Sequence, residues 1–228
     1  MNSRKTSVTA EQIKSLLSYA VLAPSSHNTQ PWRFEITDDA VSIFADRTRA
    51  LPANDPDDRE LTISCGCALM NLRAAAAHEG VGVTIDVTPD SGDDELLAVI
   101  SFNEDHSLST DEAGLFNSIE GRRTYRKRFA SRDIPTAMLD SLSTTASEEG
   151  CWFKVIKSEE DRQKVAELVS EGDSIQWSNP SWRRELAAWM HPRRRGDGLT
   201  IPGIVAPIAQ LVVRTFDIGN GVGQRISN

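Results

Sequence analysis

The sequence predicts an α+β fold, because amphipathic helices and pairs of short strands follow one another along the first half of the chain. Apolar residues at helical spacing predict one helix over residues 10–22 and another over 61–79. Between them, residues 32–36 and 41–45 flank a turn at 37–39, which predicts a β-hairpin. Long helices and a mostly antiparallel sheet are therefore expected.

The first helix is marked at both ends. Thr9 and Gln12 have the spacing of a capping box, in which two side chains satisfy backbone N–H groups at a helix start. The apolar residues that repeat behind it are Ile13, Leu16, Leu17, Ala20 and Val21. Pro24 then ends the helix, because proline cannot continue the hydrogen-bond ladder.

The second helix is preceded by Asp55-Pro56-Asp57-Asp58, which predicts an N-cap at Asp55 and a proline at the first helical position. Gly80 is expected to end it. Its apolar stripe consists of Leu61, Cys65, Ala68, Leu69, Leu72 and Ala76. Strands are predicted over 81–87 and 96–102.

Composition excludes several classes of protein. The 228 residues carry a formal charge of −8, whereas nucleic-acid binding depends on a basic face. No apolar stretch approaches the length of a membrane span, and the N-terminal residues lack the apolar core of a signal peptide. The three cysteines are too few for a disulfide framework and fit reduced thiols, so we expect a cytoplasmic protein.

The second half of the chain is expected to repeat the first. After a polar linker, the expected elements are a helix at 136–146, a strand at 152–156 and a helix at 159–171. Aligning residues 12–16 with 138–142 pairs Ala20 with Ala146. Trp32 then matches Trp152 if the second copy lacks six residues of the loop that follows the first helix. We therefore divide the chain into a first repeat, residues 1–112, and a second, incomplete repeat, residues 113–228. Sequence similarity this short is weak evidence by itself.

The string APSSHNTQPWRF at residues 23–34 is the most informative segment. One interpretation is a plain helix-to-strand loop whose small polar side chains satisfy backbone groups. The other is that these side chains hold a planar heterocycle rich in hydrogen-bonding groups. Spacing alone favours the plain loop.

The same string resembles the APSxxNxQPWxF element of the FMN-dependent nitroreductase family. RRTYRKRF at 122–129 resembles the family's RRSxRxF element, and GCALMNLRAAAAHEG at 66–80 resembles its central helix. The resemblance implies that FMN is bound by two sets of residues. Those of the loop are Pro24, Ser25, Ser26 and Asn28, and those of the phosphate element are Arg122, Arg123, Thr124 and Arg126. Arginines offer charge-assisted donors to a phosphate, which agrees with that assignment.

The resemblance further implies an oxidoreductase of the nitroreductase fold, in which NAD(P)H reduces FMN and the flavin reduces a small-molecule acceptor such as a nitroaromatic or a quinone. The cofactor carries the reactive atom, so no catalytic side chain is assigned. Two alternatives stay open: a flavin-sequestering protein without turnover, and an inactive fragment.

The match is closest to the Acg-like branch, in which two nitroreductase units are fused in one chain. Residues 175–202 would then be a lid-like insertion, although a solvent-facing helix with a basic tail is an equal alternative. Relative to that branch, the second repeat lacks its final strand and central helix. We therefore expect the Leu61, Leu69 and Leu72 stripe to be unpartnered, which would favour either self-association or a poorly packed, molten chain.

Other constellations are weaker. Cys65 and Cys67 lack the paired spacing of a zinc site and are expected to be small core residues, so no metal is assigned. The basic run at 122–128 also fits a nucleic-acid patch, but the chain around it is acidic.

Overall fold

The computed structural model describes residues 8–37, 40–89, 92–103, 110–192 and 195–216. The chain divides into two compact units. Unit 1 contains the described residues up to Arg122 together with Pro180–Phe216, and unit 2 contains Arg123–Asn179. None of the described helices is both long and apolar enough to cross a membrane.

Unit 1 is built on a four-stranded antiparallel sheet. Its strands are β1 (Trp32–Ile36), β2 (Ala40–Ala45), β3 (Gly82–Val87) and β4 (Leu96–Asn103), in the order β1-β2-β4-β3. The β1–β2 hairpin pairs Trp32 with Ala45, as the alternating sequence predicts. The mostly antiparallel α+β class is therefore confirmed. Asp38 and Asp39 of the predicted hairpin turn lie outside the described residues, as do residues 90–91 and 217–228.

Helix α1 (Ala10–Ala20) forms close to its predicted position. The Thr9 side chain accepts from the backbone N–H of Gln12, and the Gln12 side chain accepts from that of Thr9, so the predicted capping box is present. Ile13, Leu16 and Ala20 are buried on the face that the periodicity indicates. The helix ends two residues earlier than predicted, before the turn that leads to Pro24.

Helix α2 (Arg59–His78) packs against the sheet and against α1. The N-cap is Asp58, not Asp55 as predicted, and Pro56 lies in the preceding turn rather than in the helix. Asp55 still serves the helix start, since its buried carboxylate accepts from the backbone N–H of Leu61 at 2.9 Å. The Asp55 side chain thus caps a backbone N–H group of the first helical turn, although Asp55 lies three residues before the N-cap position.

The expectation of an unpartnered α2 stripe is wrong. Leu61 and Leu72 are buried in the main apolar core, and Leu69 packs against that core. The other residues of the core come from α1, the sheet and the loop between them. Unit 1 therefore buries this stripe by itself.

Helix α3 (Thr110–Ile119) precedes the basic run at 122–128 and packs on α2. The ring of Phe116 stacks on His78 at 3.9 Å and meets Tyr19 edge-on at 4.7 Å. These contacts join the end of α2 to α1.

The C-terminal part of unit 1 consists of α6 (Pro180–Ala188), β5 (Met190–Pro192), β6 (Leu199–Ile201) and α7 (Ala206–Thr215). The strands β5 and β6 pair in parallel, and α7 packs on α6 with Ala206 and Val213 buried. The sequence analysis did not predict α7. Its signal is a proline within the first helical turn followed by apolar residues at helical spacing.

Unit 2 contains α4 (Thr136–Glu148) and α5 (Glu159–Ser178). Both helices are found where the sequence predicts them, although α5 runs seven residues further and enters the predicted insertion. The predicted strand over 152–156 is wrong, because these residues have no regular secondary structure. The described part of unit 2 offers no strand with which they could pair.

Candidate functional site

The segment from Pro24 to Pro31 forms a tight loop between α1 and β1, with a single 3-10 turn at Ser26–Asn28. The loop hydrogen-bonds to itself. The N–H of Asn28 donates to the carbonyl of Ser25 at 2.9 Å, and the N–H of Gln30 donates to the Ser25 hydroxyl at 2.9 Å. The Ser25 side chain is thus part of the loop's own framework.

The backbone of this loop is strained. His27, Asn28 and Gln30 have φ angles of 48°, 54° and 54°, a region that residues with a side chain beyond hydrogen rarely adopt. Such a conformation costs roughly 1–2 kcal/mol per residue. Strained backbone is concentrated at functional sites because the surrounding structure has to hold it in place. Three such residues out of four favour a functional loop over a plain connection.

Buried contacts hold the loop from the core side. Arg49 donates from Nη1 to the carbonyl of Thr29 at 2.7 Å, and Thr29 is itself buried. The thiol of Cys65 donates to the carbonyl of Pro31 at 3.3 Å. Burial raises the pKa of Cys65 to about 12, so the group remains a neutral thiol at ordinary pH. The loop is therefore fixed by both α2 and the segment after β2.

The turn between β5 and β6 also contacts the loop. The backbone N–H of Gly198 donates to the carbonyl of Asn28 at 2.9 Å, and the Asn28 side chain donates back to the Gly198 carbonyl at 3.3 Å. Gln30 donates from Nε2 to the carbonyl of Gly196 at 2.9 Å. Residues of the predicted insertion therefore lie directly on the loop.

A charged cluster supports this turn. Asp197 forms an ion pair with Arg49 at 3.0 Å and lies 3.4 Å from Nε2 of the buried His191. Arg49 consequently contacts both the loop and the β5–β6 turn. The guanidinium of Arg49 therefore links the loop to the β5–β6 turn.

Ser26 has a different set of contacts. Its hydroxyl donates to Oε2 of Glu60, in the first turn of α2, and the side chain of Asn54 donates to the same oxygen at 3.1 Å. The indole N–H of Trp182 donates to Asn54 Oδ1 at 2.9 Å. The carboxylate of Glu185 accepts from two successive backbone N–H groups of the turn that contains Asn54, each at 2.9 Å. Of these residues only Glu60 bonds to Ser26 directly, and the sequence analysis assigned none of the four to a site.

The sequence-predicted site residues fall in both units. Unit 1 holds Pro24, Ser25, Ser26 and Asn28 in the loop and Arg122 beyond α3. The guanidinium of Arg122 lies 3.5 Å from the carbonyl of Leu22, two residues before the loop.

Unit 2 holds Arg123, Thr124 and Arg126 in an exposed segment without regular secondary structure. The two adjacent rings of this segment, Tyr125 and Phe129, are 5.1 Å apart. The assignment of the three residues to a phosphate stays a prediction.

Arg122 also lies close to a cysteine of α2. Burial raises the pKa of Cys67, and the positive charge of Arg122 opposes that rise. Cys67 is half-buried, whereas Cys151 is exposed, and all three cysteines are free thiols.

Comparison with known proteins adds independent information. Residues 1–55, which include the whole loop, match a family model described as "Putative TM nitroreductase". A protein of Mycobacterium tuberculosis (strain ATCC 25618 / H37Rv) named "Putative NAD(P)H nitroreductase acg" is 31% identical over 207 residues, which cover 88% of this chain and 60% of that protein. A second protein of that strain, also named a putative NAD(P)H nitroreductase, is 32% identical over 182 residues, 79% of this chain and 51% of its own length.

The chain therefore spans between half and three fifths of the length of these two relatives. Among solved structures, a nitroreductase family protein from Streptococcus pneumoniae TIGR4 aligns with 59% of this chain and 90% of its own, at 18% identity and a TM-score of 0.39.

Proposed function

The chain belongs to the nitroreductase family, and from that premise we propose that it is an FMN-dependent oxidoreductase. In this proposal NAD(P)H supplies electrons to FMN, which reduces a small-molecule acceptor of the nitroaromatic or quinone class. The loop Pro24–Pro31 is the proposed flavin-binding element.

The observation that supports this proposal most is the geometry of the loop. Three residues are held in the left-handed region, and contacts from α2, Arg49 and the β5–β6 turn fix the backbone. A site that is already rigid loses less entropy when it binds a ligand. Its hydroxyl and amide side chains suit a flavin, whose ring edge and ribityl chain carry both donors and acceptors.

The phosphate of FMN is assigned to Arg122, Arg123, Thr124 and Arg126. Arginine matches phosphate geometry with parallel N–H donors, and a threonine hydroxyl adds one more. The position of Arg122 near the Leu22 carbonyl, at the entrance to the loop, agrees with that assignment.

Flavin chemistry, when the cofactor is bound, consists of accepting a hydride and passing electrons on, and the protein contributes binding, orientation and electrostatics. The chain's own residues therefore act by holding the flavin, and we assign no side-chain acid or base. The free thiols fit a reducing compartment, so the proposal includes a cytoplasmic location.

A second candidate function is flavin binding without turnover. It is favoured by the β5–β6 turn, which hydrogen-bonds to Asn28 and Gln30 and so covers one side of the loop. A segment in that position would restrict the access of nicotinamide and acceptor to the ring.

One series of spectra tests these proposals. The purified chain is titrated with FMN, and the complex is mixed anaerobically with NADH or NADPH. An oxidoreductase binds FMN, loses the visible absorption band of the oxidised flavin on addition of a nicotinamide and recovers it on addition of a nitroaromatic or quinone. Binding without bleaching would identify the sequestering protein, and absence of binding would identify an inactive fragment.

A further inference from the structure

The hydrogen bonds of Ser26 determine what this residue can offer a ligand. A serine hydroxyl has one proton to donate and two lone pairs that accept. In this structure the proton is given to Oε2 of Glu60. Within the described residues, no other group donates to the Ser26 hydroxyl oxygen. That oxygen is therefore available to a ligand as an acceptor only.

Glu60 is itself held in one position. Its Oε2 accepts a second hydrogen bond from Asn54 at 3.1 Å, which orients the carboxylate towards Ser26. Glu60 also lies in the first turn of α2, where the helix dipole favours a negative charge. Both effects keep the carboxylate in place as an acceptor.

Trp182 determines how the side-chain amide of Asn54 is oriented. An asparagine side chain presents an oxygen on one side and an NH₂ group on the other, and either orientation is possible until its partners decide it. The indole N–H of Trp182 can only donate, so Asn54 has to turn its oxygen towards Trp182 and its NH₂ towards Glu60. Trp182 is 7% exposed and has little freedom to move away.

The turn that carries Asn54 is held by the same helix. Glu185, one turn after Trp182 in α6, accepts from two successive backbone N–H groups of that turn. Charge-assisted hydrogen bonds of this kind are about twice as strong as neutral ones. The C-terminal segment of the chain thus acts on the loop through α6 as well as through the β5–β6 turn.

We propose that Ser26 binds the flavin as a hydrogen-bond acceptor, and that Glu60, Asn54 and Trp182 are positioning residues that enforce this polarity. The inference rests on the proposed function and adds the chemistry of the contact. The ligand group at Ser26 is an N–H or O–H donor, which on a flavin is either the imide N–H of the ring or a ribityl hydroxyl.

The first test compares two substitutions of Glu60 in the full chain, with FMN and riboflavin as the titrated ligands. Glu60→Ala removes the group that holds the Ser26 proton, so the hydroxyl is no longer restricted to accepting from the ligand. Both ligands should bind up to about tenfold more weakly, in line with the loss of one neutral hydrogen bond between Ser26 and the ligand. Glu60→Gln keeps a carbonyl oxygen that accepts from both Ser26 and Asn54. It should restore binding to within about threefold of the unmodified chain. Glu79→Ala, an exposed glutamate at the other end of α2, is the matched control.

The second test asks whether Glu60 acts through Ser26. Ser26→Ala should weaken flavin binding by the same factor as Glu60→Ala, and the double variant should be no weaker than either single one. Trp182→Phe, which keeps the ring but loses the N–H, should weaken binding in the same direction by about threefold. A merely structural role for Glu60 would give multiplicative effects in the double variant.

Lumiflavin, which has the ring but no ribityl chain, identifies the ligand group. If Ser26 accepts from the imide N–H, Ser26→Ala weakens the binding of lumiflavin as much as that of riboflavin. If it accepts from a ribityl hydroxyl, only the binding of riboflavin is weakened. The inference is overturned if the unmodified chain binds FMN and Glu60→Ala binds it equally well, or if Glu60→Gln is as weak as Glu60→Ala. A failure of the proposed function looks different, because the unmodified chain then binds no flavin.

Discussion

The phosphate assignment leads to a prediction at the scale of single residues. Arg123→Ala and Arg126→Ala should each weaken FMN binding by roughly ten- to a hundredfold, because each removes a charge-assisted hydrogen bond worth about 1.5–3 kcal/mol. Riboflavin has no phosphate, so its affinity should not change. Fluorescence titration with both ligands measures the two affinities, and a loss of riboflavin binding in either variant would contradict the assignment.

Cys65 gives a prediction about pH. Burial raises the pKa of this thiol to about 12, so between about pH 9 and 12 the unfolded chain has lost the proton that the folded chain keeps. The stability contributed by the neutral thiol is complete below pH 9 and is lost as the pH rises towards 12. Over that window the free energy of unfolding should fall faster in the unmodified chain than in Cys65→Ala, by up to about 1.4 kcal/mol per pH unit.

Thiol labelling at neutral pH checks the environment on which that prediction depends. Cys151 is exposed and should react quickly with a thiol reagent, whereas Cys65 should react only after the protein unfolds. Fast labelling of Cys65 in the native protein would show that its burial, and therefore the expected pH dependence, is wrong.

At this scale the sequence named candidate residues of the loop, whose role in binding stays a prediction. The loop residues could be named because they are contiguous and resemble one family element. Glu60, Asn54, Trp182 and Glu185 could not be named, because each comes from a different segment and no spacing pattern connects them. Contacts between residues that are up to 132 positions apart depend on the tertiary fold, which local patterns do not encode.

At the scale of elements, the β5–β6 turn gives a prediction that contrasts two glycines. A side chain at Gly198 would overlap the imidazole of His191 and lie 2.5 Å from the carbonyl oxygen of Trp189, at a φ of +73°. Gly198→Ala should therefore cost about 2–4 kcal/mol, from overpacking together with the left-handed backbone. It should also disturb the hydrogen bonds to Asn28.

Gly196→Ala is the matched control. Its φ is +80°, but no atom lies within 4 Å of the position that a side chain would take. Only the backbone penalty of about 1 kcal/mol is expected there. Chemical denaturation of both variants measures the difference. Equal losses of stability would show that close packing against His191 is not the reason for a glycine at position 198.

The elements themselves were predictable where a strong periodicity coincided with clear end signals. α1 has both, in its capping box and its apolar stripe, and it forms close to the expected bounds. The predicted strand over 152–156 failed because a short apolar run specifies a strand only when a neighbouring strand is available to pair with it. α7 was missed because its start lacks a capping side chain: the N-cap residue is Val205, which makes no side-chain hydrogen bond to the helix.

At the scale of the whole molecule, the structure changes the reason to expect self-association. Leu61 and Leu72 of the α2 stripe are buried in unit 1 and Leu69 packs against the same core, so the stripe is already partnered within the chain. Exposed apolar side chains lie instead along α7 and the residues just before it. They are Ile204, Val205, Ile208, Leu211 and Val212, and Ile204 is 94% exposed.

The internal repeat predicted over residues 1–112 and 113–228 stays a prediction. The boundaries of the two compact units lie at other positions, at Arg122 and Pro180.

The last prediction follows from that surface. Ile208 and Leu211 lie three residues apart on α7, and Ile204 lies four residues before Ile208, in the turn that precedes the helix. This spacing favours one apolar stripe that begins in the turn and continues along the helix. Contiguous apolar surface of this kind promotes association in water. We expect the isolated chain to self-associate at micromolar concentrations, as measured by light scattering. Ile208→Glu and Leu211→Glu should reduce the average mass without lowering the midpoint of thermal unfolding.

Val213→Glu is the control for these two charges, because it places the same group on the buried face of α7. An unpaired buried carboxylate should lower the midpoint of thermal unfolding by several degrees, whatever it does to the mass. If the unmodified chain is monomeric at every concentration tested, the exposed stripe does not drive association. If Ile208→Glu unfolds the chain as Val213→Glu does, Ile208 is buried in solution, and α7 packs on the rest of the protein through both of its faces.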